Sequence, residues 1–550
     1  MNSYSSTTLS FALPFYGGVA TIIRTLPMEI FIAILEQVDF WDTLRFRRTC
    51  KTFHEITKAK AIWIHLFREC KRLSPGALVL EKPLHMYSSN ELERVVVVWK
   101  STEVGWRSSD TNPSRHRTIP ITCTSPSCGS IHCSTKHSYS GVYLVPGGRW
   151  LITFHPEGGM SYYDLESPDY EKQRPLVPNY LEIGPDCDLN GITFTVDIPD
   201  RCRTIQNFKL AQYVHENPNS TRIGQYRPIK IWNVSVIFDG QEVCGLQADC
   251  LKTILVDIFM CSDIRVRLSL RDDLLAFGLR CKPSGPTTRG RRRIEYIFVV
   301  EWANVEDGSS DYPRRTIYTK QQPQRDYFRQ WDSEIRLLSN SKLARLSYGL
   351  WLYDFSSLPY TNYIPAAEPD YPDAAPVLVY PFYCRDSFAP VPTLSQDSVW
   401  LLALKDTTLS RTTVRVPNDW GSPGEPEIST NDLLIASAPA HDYSSDPFFC
   451  CFGTRRGVVQ HRRRDYGNVI TLSLFEYDRD QPYAPDYVPA MKMFLPSKPC
   501  NLLEEYEGYF RREPPLMDEG SGRVVVLRAL RLEVVDFALV HKSTRRDDCP

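Results

Sequence analysis

The residues best equipped for chemistry lie in one short run, CTSPSCGSIHCSTKH. There Cys123, Cys128, His132, Cys133 and His137 offer thiolates and imidazoles that can bind zinc. Structural zinc sites pair cysteines two to four residues apart and add a second pair further on. Here four residues separate each cysteine from the next, and no distant pair follows. The run therefore reads as a loop between strands, with zinc as the sharper alternative, and no metal ligand is assigned. Gly147-Gly148 and Gly158-Gly159 lack the Gly-Lys-Ser/Thr and the following helix of a phosphate-cradling loop. Asp272-Asp273 and Asp547-Asp548 read as solvated acids on turns. No Gly-x-Ser-x-Gly elbow and no His-Glu-x-x-His occurs. The expectation is a protein with no catalytic residue, no cofactor and no metal of its own.

Composition narrows the partners. The chain has 550 residues, 42% of them hydrophobic, and a net charge of −1. That balance permits a packed core and argues against nucleic acid or an anionic membrane as partner, because both want a basic face. Arg291 to Arg293 and Arg462 to Arg464 read as solvated loops, with a nuclear import signal as the alternative. No apolar run approaches the ~18 residues of a membrane span. The start, MNSYSSTTLSFALPFYGG, lacks the basic region and cleavage site of a secretory signal. The sixteen cysteines are thus expected as mostly reduced thiols in the cytoplasm, the nucleus or both.

Two kinds of element must position whatever the chain binds. Residues 1–23 read as a flexible tail. Residues 24–70 read as three short helices. Pro27 suits the first turn of one, Ile30, Phe31, Ile34, Leu35 and Val38 keep helical spacing, and Asp42 suits the N-cap of the next. Leu44, Phe46, Cys50, Phe53 and Ile56 follow on the second helix, then Ile62, Trp63, Leu66 and Phe67 on the third. Residues 71–94 read as a linker. From 95 to 545 the chain reads as short strands between Pro-, Gly-, Ser- and Asp-rich loops. Several runs close alike: SYYDL (161–165), IKIWNV (229–234), VVEWANV (299–305), LWLYDF (350–355), LSLFEYD (472–478) and LEVVDF (532–537), with SVWLLALKD (398–406) partly filling one gap. Recurrence at a long period marks a repeat architecture. The clearest unit, YLVPGGRWLITFHPEGGMSYYDL, is a hairpin with glycines at its turns. Trp232, Trp302, Trp351 and Trp400 read as packing residues rather than a ligand cage.

Residues 26–67 resemble an F-box. Leu26, Pro27, Glu29, Ile30, Ile34, Leu35, Val38, Leu44, Arg45, Cys50, Lys51, Phe53 and Trp63 follow the family pattern in order, with Thr49 departing from the usual aliphatic residue. The resemblance implies a substrate-receptor subunit of an SCF-type ubiquitin ligase, docking on a Skp-type adaptor and through it on a cullin. It implies an adaptor-binding set of Leu26, Pro27, Ile30, Ile34, Leu35, Val38, Leu44, Cys50 and Trp63. The first four lie towards the adaptor; the other five are open between contact and internal core. The later repeats resemble a WD-like β-propeller of about seven blades, and the GGRWL…YDL unit resembles the C-terminal regions of F-box proteins common in mushroom-forming fungi. The fold class expected is a small all-α F-box followed by an all-β propeller that holds a substrate protein, its last strand pairing with an early one. A propeller with a small-ligand or hydrolase site, capped by N-terminal helices, is the alternative.

Overall fold

The computed structural model describes residues 26–73, 77–108, 113–120, 141–181, 189–198, 204–216, 226–257, 265–281, 294–320, 334–338, 341–346, 349–362, 376–381, 393–394, 398–405, 408–415, 427–435, 449–453, 455–463, 469–476, 492–494, 515–528 and 531–540. The chain divides into two units, Met1–Leu73 with Leu84–Val97, and Ser74–Pro83 with Val98–Pro550. No helix of the described residues is long and apolar enough to cross a membrane.

The first unit is helical: α1 (Met28–Leu35), α2 (Phe40–Arg47), α3 (Lys51–Ile56), α4 (Lys60–Leu73) and the first turns of α5 (Ser89–Arg107). Pro27 precedes α1 with extended backbone and accepts the N–H of Ile30 at 3.1 Å. Asp39, not Asp42, caps α2. Its backbone is extended and its carboxylate accepts the Asp42 N–H at 2.8 Å. The expected second helix is split in two at Cys50, which is fully extended at φ −157° and ψ 166°. Phe53 closes that corner, 4.2 Å from the Phe46 ring and 5.4 Å from Phe31. Along α4, Ile62, Trp63, Leu66, Phe67 and Cys70 form one buried stripe at helical spacing. Arg47 grips Glu93 of α5 with both ends of its guanidinium, one contact at 3.2 Å.

Residues 71–94, expected as a linker, and Val95 to Val98, expected to open the strands, fold otherwise. Ser88 and Glu91 form a reciprocal capping box that starts α5. Leu92, Val96, Trp99 and Trp106 then line one buried stripe. That helical period overrides the β-propensity of four consecutive valines. Between α4 and α5, residues 77–83 belong to the second unit as a strap. There Leu80 bridges Thr204 in parallel and accepts the Ile205 N–H at 2.7 Å.

The second unit is a β-propeller. Seven antiparallel sheets are present among the described residues. The first comprises β2 (Gly141–Leu144), β3 (Trp150–Phe154), β4 (Met160–Asp164) and β5 (Arg174–Val177). The second comprises β6 (Leu189–Asp197), β7 (Asn207–Glu216), β8 (Tyr226–Asp239) and β9 (Glu242–Asp257). The third comprises β10 (Arg265–Arg271), β11 (Leu274–Cys281), β12 (Ile294–Glu301) and β13 (Arg314–Lys320), with β17 (Tyr360–Thr361) added at its edge. β14 (Glu334–Leu337), β15 (Lys342–Leu346), β16 (Gly349–Asp354) and β18 (Leu378–Pro381) make the fourth. The fifth contains β19 (Thr393–Leu394), β20 (Ser398–Lys405), β21 (Thr408–Arg415) and β22 (Glu427–Ile435). The sixth contains β23 (Phe449–Phe452), β24 (Arg456–Arg463), β25 (Val469–Glu476) and β26 (Lys492–Phe494). In the seventh, β27 (Leu516–Asp518), β28 (Arg523–Arg528) and β29 (Arg531–Asp536) are completed by β1 (Arg115–Pro120), which pairs with β29 from Arg115↔Asp536 to Pro120↔Arg531. An early strand thus closes the last sheet, leaving that edge covered. First strands neighbour one another: β27 meets β23 and β2, β2 meets β6, β6 meets β10, and β10 meets β14.

The recurrent endings now have a physical cause. In four sheets the acid that closes the third strand pairs with a basic residue that opens the second: Asp164 with Arg149 at 2.9 Å, Asp354 with Lys342, Glu476 with Arg456 at 3.1 Å, and Asp536 with Arg523 at 2.6 Å. In three of these sheets the apolar residue after the acid is buried, and its N–H returns to the turn before the second strand. Leu165 donates to Arg149 O, Phe355 to Ser341 O and Phe537 to Gly522 O, at 2.8, 3.0 and 2.9 Å. Those turns need a left-handed residue, supplied by Gly148 (φ 71°), Ser341 (φ 57°) and Gly522 (φ 66°). The run at 229–234 lies inside β8 rather than at its end, and 398–405 is the second strand of its sheet.

One half-buried histidine gives the propeller a pH signature. His155 Nε2 lies 2.9 Å from Ser161 Oγ and 3.3 Å from Gln173 Nε2. Burial pushes its pKa down from 6.5 to about 4. The folded value is below the unfolded one, so its stabilisation is complete above pH 6.5 and is lost as pH falls towards 4. The expected loss is on the order of 3 kcal/mol. Urea unfolding at stepped pH should show it, and His155→Gln should flatten that part of the profile.

Candidate docking faces

Helix α1 carries two apolar stripes. Phe31 and Leu35 turn inward, and Leu35 is 1% exposed. Ile30 and Ile34, one helical turn apart, stand 45% and 46% exposed beside the exposed Pro27. Met28 and Trp41 are also large apolar side chains open to water. Leu26, Val38 and Leu44 are half-buried, and Cys50 is exposed.

Leu35 and Trp63 do not belong with these residues. Trp63 is fully buried, and its indole N–H donates to Thr57 O at 2.8 Å. Both fill the core of the helical unit, and neither can meet a partner without opening it. The expected nine-residue set therefore separates into four exposed positions (Pro27, Ile30, Ile34, Cys50), three at the margin (Leu26, Val38, Leu44) and two core residues. An apolar stripe of this kind is costly to leave in water and is the usual mark of a helix that packs on a partner. Met28 and Trp41 were not in the set. Their size and position on α1 and α2 were the available signals.

The propeller has one occupied face. The strap crosses turns between first and second strands and one turn between a third and a fourth strand. Ala77 O packs against Gly520, Glu81 pairs with Arg149 at 3.2 Å, and Lys82 Nζ reaches Gln241 O at 3.0 Å. The second half of α5 seats on the same side. The Arg456 guanidinium lies 5.5 Å from the ring centres of both Trp99 and Trp106, and Trp106 meets Phe537 edge-on at 5.3 Å. Gly105 permits this approach, because a Cβ there would lie 1.8 Å from Phe537 O. By the strand order, the ends of the second strands and the starts of the third strands lie towards the opposite face.

Other candidates have structural uses. The Gly147 N–H donates to Asp518 at 2.8 Å and Gly148 packs on Ser521, tying the first sheet to the seventh. Asp272 is a left-handed turn residue whose N–H donates to Asp197 at 2.8 Å, and Asp273 pairs with Lys209 at 3.3 Å. Trp232 and Trp302 are buried in sheet packing, and Trp351 is half-buried. Cys123, Cys128, His132, Cys133 and His137 lie outside the described residues, as do Arg291 to Arg293, Asp547 and Asp548. Among the described residues no group of three or more His, Cys, Asp or Glu is placed to hold a metal.

Residues 23–69 match the F-box-like family, so the helical unit contains an F-box-like domain. No curated protein matches the chain in sequence, so the likeness to F-box proteins of mushroom-forming fungi rests on the sequence pattern alone. Among solved structures, the chain is similar to the WD40 domain of SCAP from fission yeast, with 9% identity and a TM-score of 0.32 over 73% of this chain and 84% of that one. It is also similar to the β-propeller domain of Cps50 (Swd1) from Myceliophteria thermophila, with 11% identity and a TM-score of 0.38 over 77% of this chain and 99% of that one. The assignment of the propeller rests on its own strand order and closure.

Proposed function

We propose that the chain is a substrate receptor of an SCF-type ubiquitin ligase, working in the cytoplasm, the nucleus or both. Pro27, Ile30 and Ile34 dock on a Skp-type adaptor, and through it on a cullin, with Cys50, Leu26, Val38 and Leu44 at the margin. The propeller holds a substrate protein on the face opposite the strap. The observation that carries this reading is the exposed Ile30/Ile34 stripe, which lies within the F-box-like segment and has no core of its own. The chain's contribution is then proximity: tethering raises the concentration of substrate lysines near a charged conjugating enzyme, and the bond-making groups belong to other subunits. Purified full-length chain should bind a purified Skp-type adaptor in a one-to-one complex by gel filtration with light scattering. Failure to form that complex at micromolar concentrations would remove the reading.

A further inference from the structure

Strand β9 is the outer strand of the second sheet and runs for 16 residues, where β5, the outer strand of the first sheet, has 4. Its free edge is stopped at both ends. Near its C-terminus residues 305–309 lie along it. Leu255 donates to Ser309 O at 3.0 Å, Gly308 to Thr253 O at 2.8 Å, and the Thr253 N–H to the Asp307 carboxylate at 2.7 Å. At the other end Arg149 donates to Val243 O and Arg174 to Cys244 O, each at 3.0 Å. Between these stops, among the described residues, no strand but β8 pairs with β9.

Two bulges frame the open stretch. The register with β8 shifts at Ile231/Trp232 and at Ile237/Phe238, so Leu251 and Cys244 have no opposite residue on β8. Both are exposed, as are Glu242, Gln247, Asp249 and Cys250. Bulges discourage chance pairing of an edge, so a strand that joins here must match the stretch residue by residue.

The stretch matches itself. Laid antiparallel against a second copy about Gln247, it sets Glu242 opposite Lys252, Val243 opposite Leu251, and Cys244 opposite Cys250. Asp249 then meets Gly245, so no like charges face each other. An antiparallel register moves in steps of two, because the outward N–H and C=O groups alternate. One step either way sets Asp249 against Val243 or Gln247 and takes Glu242 off its cation. Lys252 Nζ gives one hydrogen bond to Val305 O at 2.6 Å, which leaves donors for an acid.

We propose that β9 is an edge for a second copy of this chain, the two joining antiparallel over Glu242–Lys252 about a two-fold axis at Gln247. Charge complementarity selects this occupant: the Glu242–Lys252 pair forms twice, each time beside a Val243–Leu251 contact. One short ladder buries less than about 1,200 Å², the range of transient complexes. The pairing is therefore reversible.

Sedimentation velocity of the full-length chain in reductant, over a rising concentration series, should show a monomer–dimer equilibrium. Glu242→Lys sets lysine against lysine at both ends and should weaken association about tenfold. Glu242→Lys with Lys252→Glu exchanges the charges and should restore it. The thiols give a second reading that does not depend on these charges. Diamide, which takes up the two hydrogens released as a disulfide forms, should join Cys244 of one copy to Cys250 of the other, as mapped by peptide mass. Cys244→Ser or Cys250→Ser alone should lose that bridge, and an equimolar mixture of the two variants should regain one. Three results would overturn the proposal: a chain that stays monomeric throughout, a dimer of undiminished strength in Glu242→Lys, or a dimer in which Cys244 and Cys250 never bridge.

Discussion

Replacing Ile30 and Ile34 together by aspartate is expected to abolish binding to a Skp-type adaptor and to leave the fold intact. Both side chains are nearly half exposed, so neither substitution opens a cavity. Exposed changes of this kind usually move stability by less than about 0.5 kcal/mol. At a docked interface the same positions would be central and desolvated. Losing an anchor costs about 2 kcal/mol or more, and burying an unpaired carboxylate adds to that. Two such changes amount to at least a thousandfold weaker binding, on the order of 4 kcal/mol. Titration calorimetry should read the loss, and thermal unfolding should show no shift. Leu35→Asp is the contrasting variant: it charges a core position 1% exposed and should unfold the helical unit.

Asp536→Ala should destabilise the propeller strongly. Asp536 is 1% exposed and lies between two guanidiniums, 2.6 Å from Arg117 Nη2 and 2.6 Å from Arg523 Nε. Arg117 belongs to the early strand β1, and Arg523 to the last sheet. The carboxylate therefore sits where the ring closes. Arg117 also donates to Leu165 O and Arg523 to Gly148 O, so both stay buried when the acid is gone. Burial pulls the Arg117 pKa down to about 10 even with the acid beside it. Breaking one member of such a set costs about 3–5 kcal/mol, because the remaining charges are uncompensated. Urea unfolding should report that loss, and limited proteolysis should cut near residues 113–120 first. Replacing Arg117, Arg523 and Asp536 together by leucine should recover much of the stability, since the three desolvation costs then vanish together.

The helical start could be read closely from sequence because its apolar spacing and helix breaks are local. Which stripe faces inward could not. Ile34 and Leu35 are neighbours of similar hydrophobicity, and Leu35 turns in on the same face as Phe31, which packs on Phe53. Helix α5 was missed because four valines read as a strand, although Ser88 and Glu91 carried the capping signal. The strand endings were visible as acid followed by an apolar residue. Their basic partners were not, because Arg149 lies opposite Asp164 only once the hairpin folds.

The central claim is that the exposed face of α1 ties this chain to a ubiquitin ligase while the propeller carries the substrate. Affinity purification from cells with the proteasome inhibited, comparing the wild type with the Ile30→Asp/Ile34→Asp chain, tests it most directly. The account predicts that the wild type recovers adaptor, cullin and ubiquitin-modified proteins. The variant should recover the same proteins unmodified, without adaptor or cullin. Recovery of adaptor and cullin by the variant at the wild-type level would contradict it.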